Sequence, residues 1–78
     1  MIVRIYTTPT CPYCRMAKEF FKQNKIAFEE LDVAADRNAA ERMIQKSGQT
    51  GVPVFDVDGK VIVGFDKPAL KAALHIKN

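Results

Sequence analysis

Apolar and polar positions change period several times along the chain, and each change marks a new element. The opening "IVRIYTT" sets Ile2, Val3, Ile5 and Tyr6 around a lone Arg4 and stops at Pro9, which predicts a buried strand. From Pro12 to about Asn24 the period lengthens. Met16, Ala17, Phe20 and Phe21 recur at helical spacing, while Arg15, Lys18, Glu19 and Lys22 take the other face. Pro12 suits the first turn of that helix, where its missing N–H removes no intrahelical bond. A second strand is expected in "IAFEELDV", with Ile26, Phe28 and Leu31 in the core. Asp36 or a neighbour then starts a helix through "RNAAERMIQKSG", with Ala39, Ala40, Met43 and Ile44 inward and Gly48 as the stop.

The stretch "VPVFDVDGKVIVGF" is a strong hairpin signal, because Asp58-Gly59 fits a tight type I′ turn between two runs rich in Val, Ile and Phe. In "KPALKAALHI", Pro68 marks a helix start, and Leu70, Ala73 and Leu74 share one face. The predicted order is β-α-β-α-β-β-α. A right-handed crossover makes the first two strands parallel, and the hairpin adds an antiparallel pair. The expected fold class is therefore α/β: a four-stranded mixed sheet flanked by helices. Residues 1–78 read as one domain, without linker, repeat or second core.

Composition narrows the picture. At 78 residues the chain is near the lower size at which a hydrophobic core holds a fold without metals or several disulfides. With 47% apolar residues and no low-complexity run, a compact fold is favoured over disorder. The opening apolar stretch is too short for a signal peptide or a spanning helix, and Arg4 interrupts it, so a soluble, cytoplasmic protein with no membrane partner is expected. Twelve basic and nine acidic residues leave a modest +3. Lys18, Lys22 and Lys25 follow helical spacing, but no dense basic block or RNA-binding aromatic signature accompanies them, which argues against nucleic acid. A positive field suits negatively charged thiol substrates or acidic partner proteins.

The chemistry concentrates in "TTPTCPYCRMAKEFF", which holds both cysteines of the chain, Cys11 and Cys14. A zinc site would need two further Cys or His ligands, and His75 alone remains; a lone histidine at a helix end is more often solvated. Zinc or an iron–sulfur cluster bridging two chains would need only one pair from each, so that arrangement stays open. A structural disulfide across so short a loop gives least stabilisation, and without a secretory signal it lacks an oxidising compartment. The redox reading has local support. The pair follows a strand and opens a helix, so unpaired backbone N–H groups and the helix dipole favour a thiolate on Cys11. Cys14, one turn further in, is expected to be more buried and to keep its proton until it resolves a mixed disulfide. Arg15 and Lys18 follow on the same helix, where exposed basic side chains are more often solvated than catalytic. Far along the chain, "TGVPVF" places a proline at a strand start. That X-Pro bond can adopt the cis form, setting Pro53 against the dithiol and aiming the backbone N–H and C=O of Val52 at a substrate that binds like an added strand. A strand-start proline is ordinary by itself; together with C-x-x-C in this element order it gains weight.

Through nearly its whole length the chain closely resembles the glutaredoxins of the thioredoxin-fold superfamily, on "IYTTPTCPYC" and "MIQKSGQTGVP". The resemblance implies the thioredoxin/glutaredoxin fold, a cis-Pro at Pro53, a nucleophilic Cys11 and a resolving Cys14 that forms a reversible disulfide with it. It also implies thiol–disulfide oxidoreductase activity on disulfide-containing or glutathionylated proteins, with no bound cofactor or metal, glutathione as electron donor, and a monomer. Thr8, Tyr13, Val52, Pro53, Gly64, Phe65 and Asp66 fall where the family lines its substrate or glutathione rim. Two departures stand out. Thr8 occupies the place of a lysine that pairs with a glutathione carboxylate in many dithiol members. Val63-Gly64-Phe65-Asp66 replaces the usual Gly-Gly-small-Asp. "GF" followed closely by proline is also similar to small redoxins that serve ribonucleotide reductase and take electrons from thioredoxin reductase. A metal- or iron–sulfur-bridged dimeric binding module is the alternative of another class.

Overall fold

The computed structural model describes residues 1–76. Its elements follow the expected order: β1 (Val3–Thr7), α1 (Pro12–Gln23), β2 (Glu29–Asp32), α2 (Arg37–Ser47), β3 (Val54–Val57), β4 (Lys60–Val63) and α3 (Lys67–Leu74). The four strands form one sheet in the order β2-β1-β3-β4, with β1 parallel to β2 and the remaining pairs antiparallel. This is the mixed α/β arrangement that the sequence predicts.

Strand alternation sorts the core into two layers. Val3 and Ile5 of β1, with Phe55, Val57 and Ile62, face α1 (Ala17, Phe20, Phe21) and α3 (Leu70, Leu74). Tyr6 and Val54 point the other way, onto Ala39 and Met43 of α2. Ile5, Phe21 and Phe55 are fully buried, and each such side chain contributes about 1.5–3 kcal/mol relative to exposure. Phe21 meets Phe55 edge-on at 5.7 Å between ring centroids.

The hairpin turn has the expected geometry, with φ of 51° at Asp58 and 88° at Gly59. Asp36 caps α2 by accepting the Ala39 N–H at 3.2 Å, and Gly48, at φ 75°, ends that helix in the left-handed region.

Three expectations are corrected. The second strand is limited to Glu29–Asp32, whereas Ile26 and Phe28 pack against the core from the connection before it. The cause is the end of α1: Lys25 turns with φ 56°, and the Ile26 N–H closes back onto the Phe21 carbonyl at 2.9 Å. Ile26 is thus the apolar contact that seals the helix end. Met16 and Ile44, expected inward, are 50% and 42% exposed. The inner stripe of α1 runs through Cys14, Ala17, Phe20 and Phe21 and that of α2 through Ala39 and Met43; Met16 and Ile44 lie at the borders of these stripes, Met16 one turn before Phe20 on the rim of an open cavity that Phe65 also lines. Among the described residues, no helix is long and apolar enough to cross a membrane.

Candidate active site

Strand register brings three distant segments to one end of the sheet. Tyr6 stands opposite Val54, and Val54 opposite Val63. The loop after β1 (Thr8 to Cys11), the turn before β3 (Val52-Pro53) and the segment after β4 (Gly64 to Asp66) therefore emerge side by side. The Gly64 N–H donates to the Pro53 carbonyl at 2.9 Å and ties the last two together; Gly64 has φ 78°, in the left-handed region that favours glycine.

Cys11 is the N-cap of α1, with extended backbone at φ −89°, ψ 112°. Its Sγ accepts the Cys14 N–H at 3.1 Å, and Pro12 occupies the first helical turn, where no N–H is missed. The sulfur thus sits where the helix offers unpaired donors and the positive end of its dipole. Cys11 is partly exposed and Cys14 is 1% exposed; both are free thiols. Burial first, then hydrogen bonding to Cys11, pushes the Cys14 thiol up to about 12 against the opposing pull of the Thr8 backbone and the Lys18 charge. The two sulfurs are three residues apart and chemically unlike.

The Val52–Pro53 bond is cis, as the motif implies. Pro53 is buried and Val52 half-buried against the Tyr6 layer. Thr8 is half-buried and brings no charge to the rim, while Tyr13 stands 60% exposed on the first turn of α1. Phe65 turns edge-on to Phe20 at 6.1 Å, and the Lys67 ammonium lies 5.8 Å from the Phe65 centroid and 6.0 Å from that of Phe20. Part of its bulk is therefore packed against α1, beside an open cavity of about 220 Å³ that Met16, Glu19 and Gln23 also line. Asp66 accepts the Ala69 N–H at 3.1 Å and is the N-cap of α3. An Asp two residues ahead of Pro68 carried that signal in the sequence.

One cluster beside the dithiol is not legible from local sequence. Glu30 Oε2 accepts from the Thr7 hydroxyl at 2.8 Å and from Lys18 Nζ at 2.9 Å. The Lys18 hydrogen bond, aided by that of Thr7, holds the Glu30 carboxyl below its usual range against the opposing effect of burial. Only the spacing of Lys18 from Cys14 hinted at it. Among the described residues, no three His, Cys, Asp or Glu side chains converge as a metal site.

Known proteins are similar to this chain in sequence and in fold. The glutaredoxin family model matches residues 3–62. Glutaredoxin 3 of Escherichia coli K12 is 41% identical over 64 residues, which span 82% of this chain and 77% of that protein. An uncharacterized glutaredoxin-like 8.6 kDa protein in the rubredoxin operon of Clostridium pasteurianum is 47% identical over 66 residues, spanning 85% and 88%. Among solved structures, a mutant of the thioredoxin-like protein BC3987 superposes with a TM-score of 0.91 at 36% identity over 96% of both chains. The glutaredoxin of Archaeoglobus fulgidus does so with a TM-score of 0.85 at 27% identity, over 92% of this chain and 84% of that one.

Proposed function

Because the chain belongs to the glutaredoxin family, we propose that it reduces protein disulfides and glutathione mixed disulfides with the Cys11/Cys14 pair. The carrying observation is the asymmetry of the pair: a partly exposed sulfur at a helix N-cap, and one turn inward a buried thiol pushed up to about 12. The Cys11 thiolate attacks one sulfur of a substrate disulfide, forming a Cys11–substrate bond and expelling the other sulfur as a thiol after protonation. Cys14 then gives up its proton and attacks Cys11, so that the Cys11–Cys14 disulfide forms and the second substrate thiol leaves with two electrons gained in total. The Val52 backbone meets an extended substrate as an added strand would, beside Pro53. Thr8, Tyr13, Gly64, Phe65 and Asp66 line the rim. Because the pair must start reduced, the cytoplasm is the fitting compartment.

The cysteine roles are tested by substitution. Cys11→Ser is expected to bring exchange down to the uncatalysed level, whereas Cys14→Ser retains single-thiol removal of glutathione and accumulates trapped mixed disulfides. Equal residual disulfide reductase activity in both variants refutes the assignment.

Glutathione is the proposed donor. A second reading, in which thioredoxin reductase supplies the electrons and ribonucleotide reductase receives them, is favoured by the uncharged Thr8 and by Phe65 beside Gly64. NADPH consumption with glutathione plus glutathione reductase, measured against consumption with thioredoxin reductase alone, separates the two. The first reading requires faster turnover with glutathione; faster turnover with thioredoxin reductase selects the second.

A further inference from the structure

Neither Lys18 nor Glu30 has a part in the exchange steps above, yet Lys18 acts on the resolving thiol through its charge and Glu30 holds Lys18. Lys18 follows Cys14 by four residues within α1, a spacing that puts two helical side chains on one face with Cβ atoms about 5–6 Å apart. A lysine there would ordinarily sample many rotamers. This one donates to Glu30 Oε2 at 2.9 Å, and the hydroxyl of buried Thr7 donates to the same oxygen at 2.8 Å. Three elements, β1, β2 and α1, thereby hold one ammonium group near Cys14.

Given the exchange chemistry proposed above, we propose that Lys18 is a positioning residue for the resolving step: held by Glu30, which the Thr7 hydroxyl fixes in turn, its ammonium supports the Cys14 thiolate as that sulfur attacks the mixed disulfide on Cys11. In this step the Cys14 S–H bond breaks and a Cys14–Cys11 bond forms. The Cys11–substrate S–S bond breaks, and the proton ends on the departing substrate sulfur, so no outside oxidant or reductant is needed.

The charged and titratable groups around this corner are Cys11, Lys18 and Lys22 on α1 and Glu30 on β2, while the loop after β1 presents the neutral Thr8 backbone. Besides burial, the hydrogen bond and charge of Cys11 keep the proton on Cys14 in the reduced protein; Thr8 and Lys18 act in the opposite direction. Once Cys11 carries the substrate sulfur it no longer bears charge or accepts as a free thiolate. The contribution of Lys18 then has less to overcome. Capture at Cys11 thus removes part of what keeps the proton on Cys14, while burial, the larger cause, remains.

The test uses the reduced full chain and 5,5′-dithiobis(2-nitrobenzoate), which yields one coloured thiolate on attack by Cys11 and a second when Cys14 displaces the remaining half. The first phase scales with reagent concentration and the second does not. Lys18→Met is expected to slow the second phase by about three- to tenfold at neutral pH, the loss of one nearby charge being partly offset by a more basic nucleophile. It also moves the midpoint of that phase's pH profile upward, and it leaves the first phase within about twofold. Lys18→Arg, which keeps the charge, restores both rate and midpoint. An unchanged second phase in Lys18→Met, or an equal slowing of both phases with an unmoved midpoint, overturns the positioning role. Release of a single coloured thiolate per unmodified chain overturns the dithiol mechanism itself, and the role of Lys18 with it.

Discussion

Asp66 accepts the Ala69 N–H through one carboxylate oxygen, so any charge it offers a substrate comes from a side chain already engaged in starting α3. The two duties separate by substitution. Asp66→Ala loses cap and charge together and is expected to cost about 1 kcal/mol of stability. Asp66→Asn keeps a good cap, stays within a few tenths of a kcal/mol, and raises KM for glutathione a few-fold if the carboxylate meets the substrate amine. Denaturant titration and steady-state kinetics on the two variants check this; unchanged KM in Asp66→Asn confines the residue to its cap. Cys11, Cys14 and Pro53 were legible because each sits in a short motif whose meaning depends on near neighbours. The exposure of Met16 and Ile44 is not legible for the opposite reason: an apolar side chain at the border of a helix stripe is buried or left open by the shape of the facing layer, which local spacing does not contain.

At the scale of elements, the order and the hairpin were legible because the signals are strong and local. Central β1 and β3 are dense in buried apolar residues, and Asp58-Gly59 supplies the two positive φ angles of the turn. The edge strand β2 is shorter than its apolar run suggests. Its apolar approach, Ile26 to Phe28, belongs to the sealing of α1, and the strand proper begins with the acids Glu29 and Glu30. Those acids are matched by Arg4 at 2.9 Å and Lys18 at 2.9 Å. Both pairs join residues far apart in the chain, and such pairings become visible only once the parallel register of β1 and β2 is known. The Lys18 arrangement shares that origin.

For the molecule as a whole, pH enters through two carboxylates, a lysine and the Cys14 thiol, whose raised value makes stability fall as pH climbs past its usual 9.0 toward about 12. Burial is the largest single influence on Asp56 and opposes its ionisation, but the Lys46 and Gly59 hydrogen bonds and nearby positive charge together outweigh it and hold the carboxyl below its usual 3.8. Glu30 is held below 4.5, chiefly by Lys18. Groups depressed in the folded state contribute stability that is complete above their unfolded values and is lost as pH falls through the folded ones. Lys46, raised above 10.5 chiefly by Asp56, contributes fully below that value and loses its contribution as pH rises through the raised one. Stability is therefore expected to be level from about pH 5 to 9, with an acid limb below the ordinary carboxylate range. Lys46→Met should cost about 1–3 kcal/mol at neutral pH by stranding the buried Asp56 carboxylate, and the deficit should shrink in acid as Asp56 takes up a proton. Denaturant titrations from acid to neutral pH measure both trends, and a deficit that stays constant with pH rules out the electrostatic origin. The ion pair lies toward the hairpin end: Asp56 accepts the Gly59 N–H at 2.8 Å, and next to it Asp58 accepts the Ile2 N–H at 2.6 Å. Cys11, Pro53 and Gly64 gather at the opposite end of the same strands. Because the Lys46–Asp56 pair and the dithiol lie toward opposite ends of one short sheet, an engineer can alter robustness at the hairpin with little reach to the thiols.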